Sequence, residues 1–154
     1  MTSTCYRFFR SGLMVVLCGA LALIMTGRLG AQEAATCTLT VEVSGIQNAR
    51  GNILIGLQRD ANTIIEGRVA EIDAKTMTAK AVFEKVPEGV YGVSVLHDEN
   101  KNGQMDWDPV GMPLEGYGFS NNPPKQMGPP PFADFKFDLQ QPGKTLDITL
   151  IYWP

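Results

Sequence analysis

Between positions 97 and 108 the chain reads His97-Asp98-Glu99-Asn100-Lys101-Asn102-Gly103-Gln104-Met105-Asp106-Trp107-Asp108. Oxygen-bearing side chains fall at alternate places, Asp98, Asn100 and Asn102, with a fourth at Asp106 and a glycine in sixth place. This spacing lets a short loop wrap a hard cation such as Ca²⁺. The first, third and fifth side chains turn oxygens inward, the seventh residue (Gln104) offers its carbonyl, and the ninth (Asp106) binds directly or through water. An EF-hand closes the shell with a glutamate in twelfth place, where this chain has Pro109. The missing carboxylate must then come from Asp108 or Glu115. The expected ligand set is Asp98, Asn100, Asn102, Gln104, Asp106, Asp108 and Glu115, and the expected cofactor is Ca²⁺. Two of the first three side chains are neutral amides, so the affinity expected is weak, on the order of 10⁻⁴ to 10⁻³ M. The same residues also fit a loop without metal, because Asp and Asn side chains close turns by accepting nearby backbone N–H groups. A ligand or partner site is a third use open to them.

His97 is the single histidine, which excludes a His-rich zinc site. As a general base it would need a partner acid. Glu115 and Asp106 are the candidates, and that alternative makes the protein a small hydrolase or isomerase. The plainer expectation is a core histidine bonded to a backbone carbonyl, since Val93, Val95 and His97 share one strand face. Met105, Met112 and Met127 lie near it in sequence, but methionines fill gaps far more often than they bind copper. A second dense stretch follows, Gly111-Met112-Pro113-Leu114-Glu115-Gly116-Tyr117-Gly118-Phe119-Ser120-Asn121-Asn122. Tyr117 and Phe119 alternate as on a strand. They either cover the open end of the fold, the expected role, or make a stacking shelf for a sugar.

The elements that must position these residues alternate with period two. Leu39, Val41 and Val43 share a face, as do Ile53, Ile55 and Leu57. Met77, Ala79, Ala81 and Phe83 repeat the pattern, and Tyr91, Val93, Val95 and His97 form a fourth face. Phe135, Phe137 and Leu139 make a fifth, and Leu146, Ile148, Leu150 and Tyr152 a sixth. Six half-buried runs separated by Gly, Pro and Asn turns predict an all-β chain folded as a single antiparallel β-sandwich. No helix is expected, except that Ile64 to Ala74 reads equally as a short helix or an irregular crossover. From Asp98 to Pro131 no strong strand pattern is seen. So long a loop in a compact domain needs a role or an internal clamp.

The first residues read as a cleaved signal peptide, 1–31: Arg7 and Arg10, an apolar run from Gly12 to Met25, and Leu29-Gly30-Ala31 as the cleavage site. The expected domain is 37–154, and the expected location is periplasmic or secreted, with no stable membrane insertion after cleavage. Cys5 and Cys18 leave with the signal, so Cys37 stands alone at an expected fraying end, without an internal bridge. All sixteen acidic residues but only ten of the thirteen basic ones lie beyond position 31, leaving a formal charge of about −6. That argues against nucleic acid or an anionic membrane as partner.

The two dense stretches resemble the signature of the DUF2141 family, exported bacterial proteins without an assigned function. The words that carry it are His97-Asp98-Glu99-Asn100, Asn102-Gly103, Asp106, Gly111-Met112-Pro113 and Glu115-Gly116-Tyr117-Gly118-Phe119-Ser120-Asn121-Asn122. The Gly51 turn, the Pro87-Glu88-Gly89 corner with Tyr91, and Pro131-Phe132 add to it. The resemblance spans Leu39 to Tyr152 and implies a secreted or periplasmic β-sandwich of the transthyretin or immunoglobulin-like kind. The transthyretin-like hydrolases rely on several histidines and a distinctive C-terminal tail. This chain has one histidine and ends Ile151-Tyr152-Trp153-Pro154, so that chemistry does not carry over. The function expected is therefore an exported, non-enzymatic domain. Its calcium-style loop would order a long segment for binding a glycan or an envelope protein.

Overall fold

The computed structural model describes residues 35–153; the expected signal peptide lies outside them. In chain order the described elements are β1 (Thr36–Ser44), β2 (Asn52–Gln58), β3 (Ile64–Ala70), β4 (Ala79–Pro87), β5 (Gly89–Asp98), β6 (Tyr117–Phe119), the single turn α1 (Phe132–Phe135), β7 (Phe137–Leu139) and β8 (Gly143–Thr149). They form two sheets. One is ordered β4-β1-β8 and the other β3-β2-β5-β6, with β7 pairing the opening residues of β5. No helix among the described residues is long and apolar enough to cross a membrane.

Alternation sets the faces. Leu39, Val41, Val43 and Phe83 from the first sheet meet Ile53, Ile55, Leu57, Val93 and Val95 from the second in one shared core. Each such side chain contributes about 1.5–3 kcal/mol by leaving water. The opposite face of the three-stranded sheet is charged, with Lys80 bonded to Glu42 at 2.8 Å.

Four sequence expectations change. Pairing is antiparallel throughout except between β1 and β8, which run parallel from Thr38↔Gly143 to Ser44↔Thr149. A long return path separates these strands, so nothing local forces the antiparallel sense. Ile64 to Ala70 is an edge strand rather than a helix or crossover. Its period is blurred because Ile64 and Val69, 59% and 63% exposed, are apolar on an open face. Phe135 belongs to α1, and the strand begins at Phe137. Cys37 is no fraying end: it pairs opposite Val86 within β1 and is buried. Burial, with Glu88 as the second cause, raises its thiol above the ordinary value.

Candidate functional site

The loop after β5 is braced by its own side chains. Asp98 is buried, and its two oxygens accept from the backbone N–H groups of Asn102 (3.0 Å) and Gly103 (2.8 Å). Asn100 Oδ1 accepts from Asn102 N–H at 2.9 Å, and Asn102 Oδ1 accepts from Gln104 N–H at 2.8 Å. The two amide Nδ2 groups donate to opposite oxygens of Asp106. Lys101 and Gly103 take left-handed conformations, φ 62° and 78°, which turn the chain back on itself. Glu115, also buried, accepts from Glu99 N–H (2.9 Å) with one oxygen and from Asp106 N–H (3.1 Å) with the other. One carboxylate thus ties the start of the loop to its far side. Asp108 serves a neighbouring hairpin instead, accepting from Val110 and Met112 N–H groups at 2.9 and 2.7 Å.

Asp98, Asn100, Asn102, Asp106 and Glu115 are therefore gathered on one loop, Gln104 is present through its backbone, and Asp108 points into its own turn. Among the described residues no three His, Cys, Asp or Glu side chains cluster as a metal site. Every carboxylate of the expected ligand set accepts from at least one N–H donor, the self-bonded arrangement of Asx turns. Gly51 fits the loop to the sheet end. A Cβ there would lie 1.9 Å from Asp98 O, and its φ of +72° suits glycine.

His97 is fully buried. Its Nε2 lies 2.8 Å from Arg50 O, and its Nδ1 lies 2.7 Å from the Tyr152 hydroxyl. A carbonyl only accepts, so Nε2 carries the proton and Nδ1 accepts from Tyr152. The nearest carboxylate is Glu99, 3.9 Å from Nδ1. Neither Glu115 nor Asp106 bonds to the ring, and neither ring nitrogen is free.

The second dense stretch pairs as a strand against β5, with Leu96↔Tyr117, Val95↔Gly118 and Ser94↔Phe119. Its glycines face inward. A Cβ on Gly116 would lie 2.3 Å from the Tyr152 ring, and one on Gly118 would lie 2.8 Å from Ile148 Cγ2. Tyr117 and Phe119 therefore face outward, along the five-stranded sheet rather than over the open end of the fold. Ser120-Asn121-Asn122 staples three elements together. Ser120 Oγ accepts from Val93 N–H at 2.9 Å and donates to Phe135 O, Asn121 donates to Lys136 O at 2.8 Å, and Asn122 bonds the backbone of Asp147 and Thr149 at 2.9 Å each.

The outward aromatics border an apolar groove of about 530 Å³. Its floor follows from strand register. Gly67 pairs with Gly56, Gly56 with Ser94, and Ser94 with Phe119. This row of small residues crosses three strands and ends at Phe119, and the Ile64 side chain lies over Gly56, 3.1 Å from where a Cβ would stand. The adjacent row, Val69–Leu54–Leu96–Tyr117, is bulky and forms one bank. Met105, Trp107 and Pro113 from the long loop form part of the wall, and Met127, Pro129 and Trp153 contribute the rest. Trp153 is held by its Nε1–H bond to the Tyr117 hydroxyl (2.9 Å) and by Lys125, whose Nζ lies 3.9 Å from the ring centre. Trp107 stays 53% and Met127 69% exposed. An exposed apolar surface gathered into one concavity marks a binding site more often than scattered exposure does.

Among the lining residues Arg68 alone is charged, and its guanidinium pairs with Glu66, donates to Val82 O and lies 5.0 Å from the Phe83 ring centre. Sequence reasoning missed this floor. The available signal was that Leu54, Gly56, Ser94 and Leu96 are outward positions without a single charge, whereas the outward positions of β1 and β4 carry Glu42, Lys80 and Glu84.

A family model described as "Uncharacterized protein conserved in bacteria (DUF2141)" matches residues 41–147. No curated protein and no solved structure matches the chain.

Proposed function

The chain belongs to the DUF2141 family, and from that premise we propose that it is an exported binding module whose working part is the groove on its five-stranded sheet. Residues 1–31, read as a signal peptide, support export to the periplasm or beyond. The two-sheet core supports a sandwich of the transthyretin or immunoglobulin-like kind. One observation carries the binding role: about 530 Å³ of concave, almost uncharged surface, walled by two tryptophans, a tyrosine and a phenylalanine. That volume lies within the range of roughly 300–1,000 Å³ usual for small-molecule sites.

The long segment after β5 exists, on this reading, to build the wall of that groove. Its self-bonded loop holds Met105 and Trp107 over the floor. Ca²⁺ enters the proposal as a weak ligand of the same loop, at Asp98, Asn100, Asn102, Gln104 and Asp106, with Asp108 or Glu115 completing the shell. The left-handed Lys101 and Gly103 give the tight turn that such an ion requires. The lining favours apolar groups over a glycan, whose hydroxyls would meet few partners there. An envelope protein could engage the groove only through apolar side chains. The hydrolase or isomerase alternative would need a free base, and both nitrogens of His97 are engaged.

The test uses Nile red, an uncharged dye that brightens in apolar surroundings. Gly67 lines the floor, and a Cβ there meets only Ile55 O, at 4.0 Å. Gly67→Phe should therefore fill the groove without disturbing the core. The expected result is a loss of dye affinity of about ten-fold or more with an unchanged melting temperature, in line with the contribution of burying one large apolar group. Equal dye binding by the variant and the parent protein would refute the proposal.

A further inference from the structure

β3 is the outermost strand of its sheet, with β2 on one side and, among the described residues, no strand on the other. A free edge presents a row of unpaired N–H and C=O groups, which proteins ordinarily defend with lysine, proline or a bulge. Between Ile64 and Ala70 there is neither lysine nor proline. The bulge lies at the opening end, at the Leu57/Gln58 step, so Glu66 to Ala70 pair with β2 in unbroken register. Apolar side chains gather on this edge instead: Ile64, Ile65 and Val69 are all exposed. Its two charged residues, Glu66 and Arg68, bond each other, so the strand carries no net charge to repel a neighbour.

The order of these residues is self-complementary. Ile65-Glu66-Gly67-Arg68-Val69 reads apolar, acid, glycine, base, apolar. Reversed, it reads the same with the charges exchanged. We propose that the β3 edge is occupied by a second copy of this chain, paired antiparallel about Gly67, so that the two β3-β2-β5-β6 sheets become one continuous sheet. That pairing sets Glu66 opposite Arg68 of the second copy and Ile65 opposite its Val69, and two-fold symmetry makes each pair twice. Opposite residues of an antiparallel pair stand about 4.5–5.5 Å apart at Cβ, closer than the roughly 6.6 Å between alternate residues along one strand. Both charged side chains are part-exposed, Arg68 at 40% and Glu66 at 37%, so each guanidinium gains a second carboxylate while keeping its own. An unrelated strand would have to bring the same charge order by chance, whereas a second copy brings it by symmetry. Ile64, Gly67 and Val69 also line the groove, so the dimer sets two grooves side by side across its axis. The pairing rests on the edge alone, whatever the groove holds.

Analytical ultracentrifugation of the purified protein over a range of concentrations tests this, and a monomer–dimer equilibrium is the expected result. Glu66→Arg alone and Arg68→Glu alone each set like charges opposite one another twice. Each should weaken self-association at least about ten-fold. Mixed in equal amounts, the two variants should regain it, because the two arginines of one then face the two glutamates of the other. Val69→Lys puts the ordinary edge defence on the strand. It should also weaken the dimer about ten-fold or more, and circular dichroism should show the fold unchanged, since Val69 is 63% exposed. This variant decides the matter if losing the Arg68 contact with Phe83 unfolds Arg68→Glu. A parent protein that stays monomeric overturns the proposal and leaves the edge to another strand. A dimer indifferent to Val69→Lys overturns it too, as does a mixture of the two folded charge variants that associates no better than either alone.

Discussion

At the scale of single residues, the side chains that looked most like chemistry turn out to hold the backbone. His97, the obvious base, spends one nitrogen on Arg50 O and the other on the Tyr152 hydroxyl. Tyr152 in turn receives Gln47 N–H at 3.4 Å. Tyr152→Phe removes the only donor, among the described residues, to a fully buried imidazole nitrogen. The expected loss of unfolding free energy is about 1–3 kcal/mol, measured by urea denaturation. The same hydroxyl carries a pH signature. Burial is the larger cause raising its pKa and Glu99 adds to it, against the lowering bond from Gln47. The folded value therefore lies above the unfolded one, near 10. A group raised in this way contributes stability that is fully present below the unfolded value and is lost as pH climbs through the folded one. The parent protein should lose stability more steeply than Tyr152→Phe above about pH 10. Parallel slopes would show that Tyr152 is not the group responsible. The inward position of His97 was legible from strand alternation alone. Its partners were not, because Arg50 and Tyr152 lie far from it in sequence.

At the scale of elements, the strands with one buried and one polar face were legible, and those touching the groove were not. β1, β2, β4 and β5 follow the expected alternation because their inward residues are uniformly apolar. β3 is obscured by apolar residues on both faces, and the expectation that Tyr117 and Phe119 cover the open end of the fold puts the β6 aromatics on the wrong surface. Glycine explains that second error. The inward places are Gly116, just before β6, and Gly118 within it, which let Tyr152 and Ile148 come close, so the bulky residues lie outside. The two faces of the sheet should then answer oppositely to one methyl group. Gly118→Ala drives a Cβ to 2.8 Å from Ile148 Cγ2 and should destabilise the protein by about 1–3 kcal/mol through overpacking. Gly67→Ala meets open space without a left-handed backbone and should be neutral or stabilising by up to about 1 kcal/mol, since it restricts the unfolded chain. Urea midpoints of the two variants decide the matter, and a tolerated Gly118→Ala would remove the account of which way β6 faces.

At the scale of the whole molecule, what the sequence conceals is register between distant strands. Gly67, Gly56, Ser94 and Phe119 become a trough only when three pairings align them, and no single strand shows it. The same holds for β1 and β8, whose parallel pairing joins the two ends of the described chain. The 98–108 loop was the reverse case, legible as a unit with two uses left open. Its side-chain oxygens accept N–H donors within the loop, so a bound cation must compete with bonds already made. Binding to the folded state alone would stabilise the whole domain by RT ln(1 + [Ca²⁺]/Kd). At about 5 mM Ca²⁺ and a Kd on the order of 10⁻⁴ to 10⁻³ M, that is about 1–2 kcal/mol. The corresponding rise in melting temperature for a domain of this size is roughly 3–8 °C. Calcium added to chelator-treated protein should produce that rise, and Asp98→Asn should reduce it by removing the one fully buried carboxylate of the first three positions. Mg²⁺ at the same concentration should give less, because it demands a smaller, stricter shell than a loop with two neutral amides supplies. A melting temperature indifferent to calcium would leave the Asx turns as the loop's whole purpose, bracing Met105 and Trp107 against the groove.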